Sequence, residues 1–151
     1  MLNPDYRDIL SIFNEEKVDY LVVGAYALAA HGLPRATGDI DLWVRCDSTN
    51  ASRVWRALAK FGAPLSDLTE EDFKNPGFVF QIGVSPSRID ILTSIDGVEF
   101  SDGWRDRLEI EIEELSVRII GRAHLIANKK AVARPQDLAD VARLESEKTK
   151  S

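Results

Sequence analysis

The strongest constraint on this chain is one ordered run of residues. Asp19 to Val23 is nearly all apolar and is followed by Gly24-Ala25, a small alanine-rich segment and a break at Gly32-Leu33-Pro34. Arg35-Ala36-Thr37-Gly38-Asp39-Ile40-Asp41 then leads into Leu42, Trp43 and Val44. The first run reads as a buried central strand that Gly24 ends. Ala25 to His31 favours a short helix, and Asp39 to about Arg45 reads as a second strand. Successive strand residues face opposite sides of a sheet, so Asp39 and Asp41 share a face at roughly 6–7 Å. Neighbouring carboxylates repel each other and lose solvation unless a cation sits between them. The pattern points to a metal, and the helix start after Gly24 points to a phosphate beside it.

Asn3-Pro4 opens a helix whose apolar positions Tyr6, Ile9, Leu10 and Phe13 run to about Lys17. Asp47 or Ser48 caps a further helix with Ala51, Val54, Trp55, Leu58 and Phe61 on one face, stopped by Gly62. Residues 65–76 suggest a short helix capped near Ser66 or Thr69. Phe78–Gly83 and Arg88–Thr93 read as a hairpin, Leu108–Ile112 and Val117–Ile120 as a second strand pair. Pro135 divides two closing helices, about 122–133 and 135–147. This order predicts an α/β (α+β) fold with a mixed β-sheet flanked by helices. The expected organisation is a single domain over 1–147 with a polar tail at 148–151.

At 151 residues the chain can bury a substantial core. Its net charge of −6 argues against a broad basic face for nucleic acid, though not against a local patch. No apolar run is long enough to span a bilayer, and no leader-like segment opens the sequence. A single cysteine, Cys46, fits a reducing compartment, so a cytoplasmic protein without membrane contact is expected.

Asp90 supplies a third carboxylate. In Ser87-Arg88-Ile89-Asp90-Ile91, Arg88 and Asp90 share one strand face. If that strand adjoins Asp39 and Asp41, three acids converge and can hold one or two Mg²⁺ ions. Each piece alone has a plainer reading: Asp-x-Asp often marks a solvated strand end, and Asp90 could simply pair with Arg88 or Arg35. The ordered combination favours the metal.

Gly24-Ala25, the Arg35 to Asp41 block and Arg88-Ile89-Asp90 resemble the small bacterial nucleotidyltransferases of the DNA polymerase β superfamily, most nearly the group of AbiE-type toxins and their MenT relatives. The segment from Leu125 to Asp140, with Lys129, Arg134 and Asp137-Leu138-Ala139-Asp140, is similar to that family's closing motif. The resemblance implies a nucleotidyltransferase-type sheet, Mg²⁺ and a nucleoside triphosphate. It implies transfer of a nucleotide to an acceptor in RNA (tRNA among them), in a protein or in a small hydroxyl compound, with release of pyrophosphate. An antitoxin protein is an implied partner.

Carried over by residue, Gly24 and Ala25 approach the triphosphate through backbone N–H groups, and Asp39, Asp41 and Asp90 hold the metal. Asp90 also assists the acceptor, Lys129 reaches phosphate or nucleotide, and Asp137 completes the set. Arg35 and Thr37 either orient phosphate or brace the loop before Asp39. The family often places Gly-Gly or Gly-Ser where this chain has Gly24-Ala25. The large helical domain of many relatives has no counterpart in the sequence. The rival reading is a protein of the same fold that binds a nucleotide or a partner without turnover.

Other residues read as structural. His31 suits a helix end and His124 a surface or capping position; Asp137 and Asp140, one helical turn apart, form an anionic patch or salt-bridge Arg134 and Arg143, and for Asp140 the structural role is favoured. Trp43, Trp55 and Trp104 read as packing residues and Cys46 as an inert thiol. Neither histidine precedes an aspartate, Leu92 stands where an Asp-x-Lys nuclease needs lysine, and no phosphate loop of the Gly-x-x-x-x-Gly-Lys type is present.

Overall fold

The computed structural model describes residues 2–150, with side chains to residue 146. The chain begins with helix α1 (Pro4–Glu15), capped by Asn3, whose side chain accepts from the Asp5 N–H, with Pro4 in the first turn. Strand β1 (Tyr20–Val23) is buried throughout and runs directly into helix α2 (Gly24–Ala30), closed by His31. Strand β2 (Asp39–Val44) follows, then helix α3 (Ser48–Phe61), which Asp47 caps through the Asn50 N–H and Gly62 ends in the left-handed conformation. A 3₁₀ turn (Glu70–Lys74) capped at Thr69 precedes the hairpin of β3 (Val79–Ile82) and β4 (Arg88–Leu92). Helix α4 (Phe100–Arg105), the hairpin of β5 (Leu108–Ile112) and β6 (Leu115–Ile119), and helices α5 (Arg122–Val132) and α6 (Pro135–Lys150) complete the chain.

The six strands form one mixed sheet in the order β3-β4-β2-β1-β6-β5. β2 is antiparallel to β1 and parallel to β4, and β1 is parallel to β6. Alternation along β2 places Ile40, Leu42 and Val44 on one face and Asp39, Asp41 and Trp43 on the other. On the Ile40 face, Phe13 of α1 stands edge-on to Tyr20, and α1 packs in turn against α3. On the Trp43 face, Phe100 of α4 meets Trp43 edge-on at 4.9 Å, and α4 approaches so closely that a Cβ on Gly103 would stand 3.1 Å from the Trp43 ring. Trp43 is 1% exposed, and burial of such a ring stabilises the fold by about 2–3 kcal/mol. The acids therefore sit at one end of a sheet whose central strands are anchored on both faces.

The mixed α/β single domain matches the sequence expectation, with three differences. Helix α4 was not foreseen, since six residues with a central Gly103 have little intrinsic helicity. It forms because Phe100 covers Trp43 and Trp104, one turn on, stacks on Phe100 at 5.8 Å. The sixth strand begins at Leu115, earlier than expected. The last helix continues to Lys150, so residues 148–150 of the predicted polar tail extend α6, and Ser151 lies outside the described residues. Among the described residues, no helix is long and apolar enough to cross a membrane.

Candidate active site

The parallel pairing of β2 and β4 brings the acids together. Its register aligns Asp39 with Arg88 and Asp41 with Asp90, so all four side chains share one face. One carboxylate oxygen from each of Asp39, Asp41 and Asp90 lies within 4.8 Å of the others. The convergence that the sequence left conditional on strand order is realised.

The triad is unevenly compensated. Thr37 Oγ1 donates to Asp39 Oδ1 at 2.9 Å and accepts from the Asp39 N–H at 3.3 Å, fixing that carboxylate's rotamer. Arg88 Nη2 donates to Asp39 Oδ2 at 2.9 Å and to Asp90 Oδ2 at 3.2 Å. Asp90 is 6% exposed, and its Oδ1 is buried with no hydrogen-bond donor among the described residues. Asp41 is the least relieved. Burial, then the charges of Asp39 and Asp90, raise its pKa to about 7, with a proton shared towards Asp90 adding to the shift.

Gly24 makes this crowding possible. It begins α2 at φ +69°, a conformation that glycine adopts without strain, and a Cβ there would collide with Asp41 Oδ2. Beyond it opens a cleft of about 310 Å³ lined by Gly24, Ala25, Arg35, Thr37, Asp39, Asp41, Lys129 and Asp137, together with Leu28, Ala36, Arg134 and Gln136. Of the predicted site residues, only Asp90 lies outside this lining; it stands beside it, across the triad. A second cavity of about 250 Å³, lined by apolar residues including Leu10, Val22, Tyr26 and Ile119, offers nothing to a phosphate.

The far wall of the cleft is an ion-pair network between α5, α6 and the loop before β2. Lys129 Nζ donates to Asp137 Oδ1 at 3.2 Å and pairs with Asp140 Oδ2 at 3.0 Å, and all three residues are buried. Arg134 Nε donates to Asp137 Oδ2 at 2.6 Å, and Arg35 forks onto both oxygens of Asp140. The Arg134 hydrogen bond, reinforced by Lys129, holds Asp137 down at about 2. Asp140 is also lowered: burial opposes the shift, but Arg35 and Lys129 outweigh it. Three cations facing two anions leave the wall net positive.

Several expectations are sharpened here. Lys129 faces the site, whereas Lys130 is exposed and pairs with Glu145 at 3.1 Å. Lys129 is nonetheless held by two carboxylates rather than projecting freely. Asp140 takes Arg35 and Lys129 as partners while Arg143 points to solvent, because Asp140 turns inward towards α5. Thr37 braces Asp39, and Asp90 pairs with Arg88, not Arg35. His31 closes α2 with Nε2 2.8 Å from the Ile120 carbonyl, and His124 pairs with Asp106.

Three residues near the site carry no functional role in the sequence reading. Arg88 was placed on the face of Asp90 and offered only as its ion-pair partner, although the same face already put it within reach of the other acids. Gln136 lines the cleft at the start of α6. Tyr6, from the distant α1, donates to the Pro86 carbonyl at 3.2 Å, close enough to the acids for their charges to act on its hydroxyl; no local pattern signals that contact.

Residues 6–147 match the family described as nucleotidyltransferase of unknown function (DUF6036). The chain belongs to this nucleotidyltransferase family. No curated protein matches its sequence. Among solved structures, this DUF6036 member is similar to a Thermotoga maritima protein assigned as a nucleotidyltransferase, at 16% identity and TM-score 0.58, over 100% of this chain and 97% of that one. It is similar to the lincosamide antibiotic adenylyltransferase LnuA, solved with lincomycin, at 14% identity and TM-score 0.57 over 97% and 98% of the two chains. It is also similar to ANT(2″)-Ia in complex with adenylyl-2″-tobramycin, at 18% identity and TM-score 0.57 over 92% and 84%. At these identities the likeness is one of fold. The sequence-based assignment to nucleotidyltransferases is borne out at the level of family and fold.

Proposed function

We propose that this chain transfers a nucleoside monophosphate from a nucleoside triphosphate to an acceptor hydroxyl, with Mg²⁺ held by Asp39, Asp41 and Asp90. The observation that carries the reading is the convergence of three carboxylates at the edge of a cleft whose opposite wall is net positive. The donor set suits a hard cation: it consists of carboxylate oxygens only, and the buried Asp90 Oδ1 lacks a donor. When bound, Mg²⁺ would neutralise charge on the transferring phosphoryl group and the leaving pyrophosphate.

The protein's own residues then have distinct tasks. Thr37 holds Asp39 in one rotamer, and Gly24 lets the backbone pass against Asp41. The N–H groups of Gly24 and Ala25 meet the triphosphate, and Lys129, Arg35 and Arg134 face its negative charge. Asp90 takes the acceptor's hydroxyl proton. The acceptor oxygen bonds to the α-phosphorus as the α–β bridging P–O bond breaks, and pyrophosphate leaves with that electron pair. Such a reaction depends on positioning and charge neutralisation, which fits a site without a covalent nucleophile.

The motif resemblance supports a place near the AbiE-type and MenT toxins, and with it an antitoxin partner and a cytoplasmic setting. The antibiotics bound to LnuA and ANT(2″)-Ia set a small hydroxyl compound beside RNA and protein side chains as the acceptor class. Asp39→Asn and Asp41→Asn test the assignment: each abolishes transfer and Mg²⁺-dependent nucleotide binding while the circular dichroism of the fold is kept. Unchanged transfer in both variants overturns it.

A further inference from the structure

Arg88 is the one cation in direct contact with the triad among the described residues. Its Nη2 alone makes both contacts, to Asp39 Oδ2 and Asp90 Oδ2, while its Nε is buried without a partner. No other hydrogen bond fixes the guanidinium among the described residues, and its side chain is 35% exposed on a side open to solvent. Opposite Asp90 on this face stands Gln81 of the edge strand β3, itself exposed. The guanidinium is thus held by the very carboxylates a divalent cation needs, through a single nitrogen, on a side chain about a third of which is exposed.

We propose that Arg88 is the resident counter-cation of the carboxylate triad and that it makes metal entry depend on the nucleotide. The inference rests on the reading of the triad as a metal site. With all three carboxylates ionised, the triad and Arg88 sum to a charge of −2, whereas the triad alone carries −3. A metal arriving by itself must displace the guanidinium from two of its ligands and accept a positive neighbour, which weakens its binding. A nucleoside triphosphate adds phosphate oxygens and negative charge that offset both costs, so metal and nucleotide enter together. By thermodynamic reciprocity the metal tightens nucleotide binding by the same factor. The arrangement keeps the free protein from loading metal without its donor substrate.

The test counts bound Mn²⁺ by paramagnetic resonance on the full chain, with and without a non-hydrolysable triphosphate analogue. Arg88→Met is expected to bind Mn²⁺ alone at least about tenfold more tightly than the unaltered protein, with the gap shrinking to about threefold or less in the analogue. Arg88→Lys, which keeps the charge, stays within about threefold of the unaltered protein in both conditions. If Arg88→Met binds Mn²⁺ equally or more weakly, Arg88 orders the acids instead of competing for them, and the proposal is overturned. If Arg88→Met is unfolded in chelator, Mn²⁺ refolds it under the proposal, since the ion replaces the missing positive charge; failure to refold overturns it. Asp41→Asn separates the two levels. Mn²⁺ binding unaffected by that substitution removes the metal reading itself, and the inference falls with it, whereas triad-dependent binding without an Arg88 effect refutes the inference alone.

Discussion

Asp41 sits under electrostatic stress that can be relieved by one atom's change. Asp41→Asn keeps the size of the side chain and removes the charge that burial, Asp39 and Asp90 disfavour. The carboxyl is raised from 3.8 to about 7, and at 1.36 kcal/mol per unit that shift sets a ceiling of about 4 kcal/mol. Solvent reaches part of the side chain and Arg88 stands close by, so about half of that, roughly 2 kcal/mol, is expected in stability. Above pH 4 the unfolded chain ionises Asp41, while the folded chain keeps the proton until about pH 7. The folded state therefore binds the extra proton across this window, and the unaltered protein loses stability as pH rises through it. Asp41→Asn lacks this loss. In chelator, its stability advantage should open from about pH 4, reach its full value near pH 7 and stay level above. For a chain of this size, roughly 2 kcal/mol corresponds to about 4–8 °C in Tm. Paired thermal melts from pH 4 to pH 8 measure the gap, in which the other titrating groups largely cancel. A gap that is the same at both ends, or a variant less stable at pH 8, refutes the reasoning.

Gly24→Ala combines a left-handed backbone with a clash against Asp41 Oδ2, so it should cost at least about 1 kcal/mol in Tm measurements and remove Mg²⁺-dependent nucleotide binding by calorimetry. If Lys129 only reached phosphate or nucleotide, as its motif implies, Lys129→Ala would weaken triphosphate affinity more than folding. Its burial between Asp137 and Asp140 instead predicts a loss of both, with about 1–3 kcal/mol of stability, since Arg134 and Arg35 keep each acid paired. Adding Asp140→Asn should restore part of the Tm but none of the affinity, and full recovery of affinity would refute a phosphate role. Asp137, held down at about 2 mainly by Arg134, contributes stability above pH 4 that is lost as pH falls towards 2. Arg134→Met should therefore be less stable than the unaltered protein at neutral pH, and the difference should close between about pH 4 and pH 2 in acid melts.

Local patterns carried the sequence reading where the chemistry is local. The caps at Asn3 and Asp47, the stop at Gly62 and the alternation through Asp39-Ile40-Asp41 each depend on neighbours within a few residues, and each appears in the structure. The third acid was visible as a strand residue, but its meeting with Asp41 depends on β4 pairing with β2 rather than with another strand, which alternation does not encode. Helix α4 is decided by Trp43, more than fifty positions earlier. The partners of Asp140 were misread because helical spacing offered Arg143, while the fold brings Arg35 across from a loop 105 positions away. Arg88 illustrates the same limit: its face was legible, its grip on Asp39 was not.

The most direct test of the account is a comparison of label position. The protein is incubated with Mg²⁺, a cell extract and each nucleoside triphosphate carrying label at the α- or the γ-phosphate. The account predicts that α-label enters an acceptor, that γ-label is released in pyrophosphate, and that both results disappear in Asp39→Asn and Asp41→Asn. Entry of γ-label into the acceptor, or α-label transfer undiminished in both variants, contradicts it.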